Sequence, residues 1–302
     1  MQRISSSSSS HVKYLAALSP AAPFFLWGAF FPVSASAWLA LPAACALALP
    51  LLWLCSLLLE RFPALKDAAL WPLSFLSLFA ALASLRASSV FMGLCVLPQL
   101  PPWLPSLCLG LFSFWIALRG PRPLLGFCAL SCLPVLALLL LSILSAASKI
   151  DPHFTYRYAP FTPQGFLSCL GPALLLFFFH GLLLIVLFPE TEASVKNPRA
   201  AFFQTVRGFI PITVLLTAAC WSTALALGPG VFESLSFPLY YPPGLTRTAE
   251  YLERIELLLL AVYFFAAVSQ LGLLFLSFAA PFRRLGARMN RRRKDAPDSL
   301  SG

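Results

Sequence analysis

Charged side chains are scarce in this sequence. Only 11% of its 302 residues are charged, and Asp and Glu together number 11. A soluble domain carries about 25% charged residues, so this chain has too few polar side chains to cover a globule in water. Intrinsic disorder is excluded as well, because it requires low hydrophobicity together with high net charge.

Sequence motifs of enzymes are also missing. The chain contains no GxSxG with triad partners, no HExxH, no Walker loop and no dinucleotide-binding fingerprint. Cys128 and Cys132 are four residues apart, but no His or acidic residue lies near them, so we expect no metal site. The cysteines all lie in apolar runs, where Cys behaves as a small hydrophobic residue. We therefore expect neither an enzyme nor a bound cofactor.

Apolar residues are abundant instead. They make up 59% of the chain, which also holds 28 Phe and 27 Pro, and the mean hydropathy is +0.84. A helix needs about 20 apolar residues to cross a bilayer. This composition predicts an all-α polytopic membrane protein of about eight spans. The predicted spans are Tyr14 to Val33, Ala37 to Leu59, Leu70 to Leu97, Trp103 to Leu118, Leu124 to Ala146, Gln164 to Phe188, Phe209 to Leu227, and Leu252 to Ala280.

The net charge of +10 is distributed unevenly along the chain. Residues 1–12 form a Ser-rich polar tail, residues 13–281 the membrane domain, and residues 282–302 a basic tail. With an even number of spans, most basic residues fall on one side, which the positive-inside rule makes cytoplasmic. Both termini are then cytoplasmic. The basic run in the last tail could bind nucleic acid, but its place directly after a span favours contact with anionic membrane lipid.

Two predicted spans carry helix breakers. The first contains Pro20, Pro23 and Gly28, and the sixth contains Gly171-Pro172 and His180-Gly181. Unwound helices in transporters expose backbone groups that bind substrate near the midplane of the membrane. The alternative is that Pro and Gly are simply common in membrane helices. Breaks in the first and sixth spans together favour a transporter-like bundle with inverted repeats.

Polar residues inside spans are the candidate site residues. Arg86 in the third span either serves function, forms a structural ion pair with Glu253 or Glu256, or extends its side chain to water at the membrane surface. His180 either contacts a ligand or bonds to a backbone carbonyl. Tyr263 in the eighth span, with its neighbours Ser269 and Gln270, lines a cavity or joins helices by hydrogen bonds. The aromatic loop from Pro229 to Glu250 either lies flat on the bilayer or caps the bundle.

Scattered motifs along the whole chain resemble the endospore germination permease family, which provides the B subunit of nutrient germinant receptors in the amino acid–polyamine–organocation transporter superfamily. The sharpest is Glu250-Tyr251-Leu252-Glu253-Arg254-Ile255-Glu256, which is similar to the family's Leu-Glu-Arg-Ile-acidic stretch at the eighth span. The others keep the family's order: Ala37-Trp38-Leu39-Ala40, Glu60-Arg61-Phe62-Pro63, Arg86, Leu97-Pro98, Pro102-Trp103, Gly120-Pro121-Arg122-Pro123, Asp151, Pro160, Gly165, Leu187-Phe188-Pro189, Gly228 and Phe237-Pro238.

The resemblance implies a membrane subunit involved in spore germination, in the cell membrane or the spore inner membrane. It would bind a small nutrient such as an amino acid, and its partners would be A-type and lipoprotein C-type subunits. The alternatives are a secondary amino-acid transporter of the same fold and a ligand-free membrane scaffold. The implied pocket residues are Pro23, Gly28, Arg86, Phe179, His180, Gly181 and Tyr263.

The chain departs from the family in two respects. Relatives usually have ten spans, whereas eight are predicted here, so the bundle would be shortened at its C-terminal end. The sixth span reads Phe179-His180-Gly181-Leu182-Leu183, where relatives often carry an acidic residue soon after the Gly.

Overall fold

Helices account for the regular structure of the chain. A computed structural model describes residues 11–26, 34–96, 99–147, 150, 162–191, 197–237, 239 and 255–295, and no strand occurs in these ranges. The helices are α1 (Val12–Leu18), α2 (Ala21–Phe25), α3 (Ala37–Arg61), α4 (Pro63–Phe91), α5 (Trp103–Arg119), α6 (Pro121–Ala147), α7 (Pro163–Thr191), α8 (Pro198–Leu227), α9 (Pro229–Ser234) and α10 (Ile255–Asp295). A π-helical turn, Met92–Val96, extends α4.

Six of these helices are long and apolar enough to cross a membrane, which confirms an all-helical integral membrane protein. The candidate segments are Ala37–Arg61, Ala64–Leu94, Pro121–Ala147, Pro163–Phe188, Pro198–Leu227 and Leu260–Gly286. The predicted fourth span is the shorter apolar helix α5, with 17 residues. Large apolar side chains such as Phe79, Leu130 and Leu133 are exposed on the outside of the bundle, where lipid would solvate them.

The first predicted span is divided. α1 ends at Leu18, a turn holds Ser19 and Pro20, and α2 begins at Ala21. Pro lacks an N–H and its ring clashes with the preceding turn, so a helix is easily interrupted there. α1 lies inside the bundle and packs against α6, α7, α8 and α10. A broken helix at the centre of the bundle was predicted from the sequence and is confirmed for the described residues.

Helix ends meet in two groups. At one end, Glu60 at the end of α3 pairs with Arg199 at the start of α8, at 2.5 Å. At the same end, Arg284 near the end of α10 pairs with Asp67 at the start of α4, at 2.5 Å. We call this the basic end, because it gathers the described cations Arg61, Lys66, Arg119, Arg122, Arg199, Arg283 and Arg284.

The opposite end is joined by hydroxyl hydrogen bonds. Ser36, just before α3, accepts from the backbone N–H of Thr162, just before α7, at 2.8 Å. α9, which follows α8, also lies here, because Glu233 accepts from the backbone N–H of Ala35 at 2.9 Å. α3 and α7 therefore run from the opposite end to the basic end, whereas α8 runs the other way.

The expected break in the sixth span is wrong. α7 is one helix from Pro163 to Thr191 and continues through both Gly171-Pro172 and His180-Gly181. A single proline removes one backbone hydrogen bond without ending a helix when neighbouring helices hold its two halves together. In this bundle α3 and α8 are the neighbouring helices that pack against α7 and hold its two halves together.

Candidate functional site

The interruption between α1 and α2 lies inside the bundle. Ser19 is fully buried there, and its hydroxyl has no hydrogen-bond partner. Phe24 in α2 contacts Phe177 of α7, with ring centroids 5.6 Å apart, and Phe177 in turn contacts Phe209 of α8 at 5.3 Å. The interruption therefore lies beside an aromatic cluster shared by three helices.

His180 lies one turn beyond Phe177 on α7 and is buried, with 2% of its surface exposed. Its Nδ1 lies 2.9 Å from the carbonyl oxygen of Leu176, as expected for a histidine bonded to its own helix. Its Nε2 is buried without a partner. An unsatisfied buried polar atom costs about 1–3 kcal/mol. The Nδ1 atom thus has a structural role, whereas the Nε2 atom is available to bind a ligand or water.

Ser19 and His180 lie on the same side of the aromatic cluster. Ser19 precedes Phe24 on a segment that begins at the basic end, and His180 follows Phe177 on a helix that runs towards that end. Both are displaced from the Phe24–Phe177 contact towards the basic end. α1 packs against α7, and the Ser19 hydroxyl and the Nε2 atom of His180 are both buried without a hydrogen-bond partner.

Gly181 serves close packing rather than a helix break. A Cβ atom built on it would overlap Cδ1 of Leu52 in α3, so only Gly lets α3 and α7 approach this closely. Phe179 is half-buried and makes an edge contact with the His180 ring at 5.8 Å. The structure therefore gives Gly181 a packing role and places Phe179 beside the histidine.

Tyr263 joins helices and is completely buried. Its hydroxyl donates to Ser88 Oγ of α4 at 2.5 Å, and Gln270 donates to Ser84 Oγ at 3.1 Å. Ser77 continues the contact between α4 and α10 through a 3.0 Å hydrogen bond to Ser277. The interhelical interpretation of Tyr263 and Gln270 is therefore the correct one. The repeated serines of α4, at helical spacing, are the sequence signal that indicates this contact.

Arg86 lies apart from the other candidates. It is exposed on the outside of α4, and it forms no ion pair with any residue that the structure describes. The side chains of Glu253 and Glu256, its predicted partners, lie outside the described residues. The structure thus places Arg86 apart from His180 and Tyr263, although the sequence predicts all three for one pocket.

The remaining predicted site residues belong to the first span. Pro23 is buried within α2, next to Phe24 of the aromatic cluster. Gly28 lies outside the described residues. Of the predicted set, Pro23, Phe179, His180 and Gly181 lie on α2 and α7, which meet through the contact of Phe24 with Phe177.

The sequence predicts the cap at the opposite end only in part. Phe232 and Phe237, from the predicted aromatic loop, are buried, and Phe237 contacts Phe91 of α4 at 5.1 Å. Glu233 between them accepts hydrogen bonds from the Ser34 hydroxyl at 3.2 Å and from the Ala35 N–H. The described part of the loop, residues 229–237, therefore caps the bundle, and the rest of the predicted loop lies largely outside the described residues.

A surface groove between α3 and α8 was not predicted. It encloses about 400 Å³ and is lined by Trp38, Pro42, Thr213, Val214, Thr217, Ala218 and Trp221. The polar side-chain atoms of Trp38, Thr213 and Thr217 are buried without partners. The groove opens at the surface of the bundle and lies at a different place from the interior residues Ser19 and His180.

Comparison of the chain with models of protein families, with curated proteins and with solved structures found no match. The likeness to germination permeases therefore rests on the sequence motifs alone. Among the residues that the structure describes, no three His, Cys, Asp or Glu side chains come together as metal ligands would.

Proposed function

We propose that this chain is an integral membrane subunit of a nutrient germinant receptor, with a transporter-like bundle that binds a small nutrient such as an amino acid. The observation that carries the proposal is the broken first helix inside the bundle, together with two buried atoms that lack hydrogen-bond partners, the Ser19 hydroxyl in the break and Nε2 of His180 on α7. Irregular backbone is tolerated at membrane depth only where protein or a cavity surrounds it, and transporters bind substrate at such breaks.

Eight crossings form the proposed topology. α5 is short, but Arg119 at its end is followed directly by α6, and Arg283 from α10 donates to its Ala117 carbonyl at 2.6 Å. Its start is at the other end, because Gly93 of the π-turn packs against Pro102. The 17 residues of α5 span about 25 Å, close to the thickness of a thin hydrocarbon core. α1 and α2 belong to the remaining crossing.

Inverted repeats are supported by the pairing of helices. α1 packs against α8 as α7 packs against α3, and α1 and α7 run in opposite directions. α3 and α8 also pack together in opposite directions, as do α4 and α10. An approximate two-fold axis in the membrane plane would exchange the members of each pair. This is the symmetry of transporters whose substrate site lies where the two repeats meet.

The nutrient would bind between the first and sixth spans. A hydroxyl and an imidazole nitrogen offer a donor and an acceptor for a zwitterion such as an amino acid. Phe24, Phe177 and Phe209 offer apolar surface next to them. Binding would change the population of two arrangements of the bundle, and partner subunits of the A type and the lipoprotein C type would respond.

The basic end is proposed to face the cytoplasm, with both termini on that side. The seven cations that define the basic end gather there, and this is the charge pattern of a cytoplasmic surface. Residues 282–302 would then contact anionic lipid of the cell membrane or of the spore inner membrane.

The test is the germination of spores that lack the gene, with and without complementation. Deletion should abolish the response to at least one nutrient, and His180→Ala should raise the half-maximal nutrient concentration at least about tenfold. Phe203→Ala, which removes an exposed ring, is the control and should leave the response unchanged. Unchanged germination of the deletion strain towards every nutrient would contradict the proposal.

Two other functions would give different results. A secondary amino-acid transporter of the same fold would drive ion-coupled uptake into proteoliposomes, which a receptor subunit without transport would not. A ligand-free scaffold would keep full function when Arg86 and His180 are both replaced by Ala.

A further inference from the structure

The groove between α3 and α8 begins near the opposite end of the bundle. Trp38 is the second residue of α3, and its ring contacts that of Trp221 in α8, with centroids 4.3 Å apart. From this pair the groove continues past Thr217 to Thr213, which lies about 12 Å from Trp221 along the axis of α8. The groove therefore extends from the start of α3 towards the interior of the membrane.

The groove opens towards lipid. Val214 on its wall is 61% exposed. Leu39, next to Trp38, and Ile210, one turn before Val214, are 36% and 52% exposed. Large apolar side chains on the outside of a membrane-spanning bundle are solvated by hydrocarbon. A ligand of the groove would therefore enter from the membrane.

Three polar side-chain atoms that line the groove have no hydrogen-bond partner. They are Nε1 of Trp38 and the hydroxyl oxygens of Thr213 and Thr217, and all three are buried. Thr213 as a whole is only 5% exposed. Pro42 also lines the groove, and because it has no N–H it cannot donate to the carbonyl of Trp38, four residues before it. Unpartnered buried groups are unfavourable, so a ligand that bonds to them gains affinity.

These features define the chemistry of the ligand. The described residues that line the groove include no charged side chain, so a charged head would be buried without a counter-charge. Thr213 and Thr217 are four residues apart, about 6 Å along the helix, so more than one polar group is needed to reach both. The indole N–H of Trp38 requires an acceptor, whereas the two hydroxyls can donate or accept. The ligand is thus neutral, with several oxygen atoms and an apolar chain.

We propose that this groove binds a neutral single-chain glycerolipid of the monoacylglycerol type. Its ester carbonyl would accept from the Trp38 N–H, its glycerol hydroxyls would bond to Thr213 and Thr217, and its acyl chain would lie against Val214 and Ile210. The groove encloses about 400 Å³, which is comparable with the roughly 300–1,000 Å³ of small-molecule sites. A phospholipid would bring a phosphate for which the described lining offers no cation.

Photolabelling of the purified chain in phosphatidylcholine vesicles tests the proposal. The probe is a monoacylglycerol with a diazirine in its acyl chain and a terminal alkyne. The comparison probes are lysophosphatidylcholine, which has a charged head, and an alkane, which has none, both with the same labelled chain. The monoacylglycerol should label peptides of α3 and α8 saturably, and the other two should label them at least about tenfold less. Labelling that does not saturate, that is equal for the three probes, or that saturates only on other helices would overturn the proposal.

Three Thr→Val variants then locate the head of the lipid. Thr213→Val and Thr217→Val each remove one hydroxyl and keep the shape of the side chain, so the half-saturating probe concentration should rise about threefold or more. Thr205→Val is the matched control, because the Thr205 hydroxyl bonds to the Ala201 carbonyl at 2.9 Å and lies outside the groove lining. It should leave labelling unchanged. Equal affinity in all three variants would exclude the assigned head contacts.

Thermal unfolding separates binding from folding. Without monoacylglycerol, Thr213→Val and Thr217→Val should be at least as stable as the unchanged chain, since each removes an unpartnered buried hydroxyl. Added monoacylglycerol should raise the unfolding temperature of the unchanged chain more than that of either variant. An equal rise in all three chains would contradict the site. The inference requires only that the helices span the membrane, and none of its readouts uses germination, so it can succeed or fail independently of the nutrient response.

Discussion

The hydroxyl of Tyr263 donates to Ser88 Oγ across the interface of α10 and α4, at 2.5 Å, with both side chains buried. Ser88 in turn donates to the carbonyl of Ser84 at 2.6 Å, and Ser84 accepts from Gln270. The two helices are thus joined by connected hydroxyl and amide groups. In the proposed inverted repeat α4 and α10 are one of the pairs related by symmetry, and these hydrogen bonds would make their interface a scaffold beside the broken first helix.

Tyr263→Phe should weaken the scaffold without affecting the nutrient response. The change removes one interhelical hydrogen bond but keeps the ring that packs against Phe91, at 4.8 Å. Interhelical hydrogen bonds in membranes contribute about 0.6 kcal/mol on average, so we expect a loss below about 2 kcal/mol. Unfolding of the purified variant in mixed micelles measures it. An abolished nutrient response with normal stability would instead identify Tyr263 as a ligand contact.

Gly208→Ala should be far more damaging than Gly126→Ala. A Cβ atom at Gly208 would overlap backbone atoms of α1, the Lys13 carbonyl oxygen and the Ala17 nitrogen, which cannot move without displacing the helix. Overpacking of this kind costs about 1–3 kcal/mol. Gly126 lies on exposed α6 with open space beside it, so its replacement should cost little. Thermal unfolding of the two variants in the same detergent compares them, and equal stability would refute the close approach of α1 and α8.

Much of the fold follows from local sequence, because a membrane span needs only length and apolar composition. The predicted fourth span, Trp103 to Leu118, coincides with the helix Trp103–Arg119, which is shorter than the six helices long enough to cross a membrane. The first span was expected to break at its prolines and does break at Pro20. These features depend on neighbouring residues alone, so the sequence contains enough information to predict them.

The parts that failed depend on residues distant in sequence. Gly181 was interpreted as a break, but its lack of a side chain accommodates Leu52, which no local pattern could indicate. Arg86 was grouped with the pocket because it is a charge within a span, whereas the direction in which it points is set by the packing of α4 against α10. For the candidate site, the sequence locates the polar residues within the apolar segments but not which of them face one another.

Glu233→Ala should loosen the cap at the opposite end of the bundle. The carboxylate accepts from the Ser34 hydroxyl and the Ala35 N–H, and thereby holds α9 against the start of α3. Without it, the Ala35 amide should exchange with deuterium at least about tenfold faster, which corresponds to about 1.4 kcal/mol of lost protection. Hydrogen exchange measured by mass spectrometry on peptides covering residues 34–36 detects this change.

Ser234→Ala is the matched control for the cap, since Ser234 bonds only within α9, to the Val231 carbonyl at 2.8 Å, and is exposed. The rate of hydrogen exchange at the Ala35 amide in Ser234→Ala should equal the rate in the unchanged chain. Equal exchange in Glu233→Ala would mean that the carboxylate does not hold the two segments together.

Labelling from the two sides of the membrane tests whether α5 crosses it. Cysteines placed at Lys66 and Arg122 should react with an impermeant maleimide only from the cytoplasmic side, because both positions lie at the basic end. A cysteine at Trp103, 60% exposed at the start of α5, should react only from the outside. The native cysteines that the structure describes all lie within helices, so their background labelling can be subtracted using the unchanged chain. Labelling of Trp103 and Arg122 from the same side would mean that α5 does not cross the membrane. The directions of α6 to α10 relative to α3 would then be wrong, and the proposed repeats would no longer have opposite orientations.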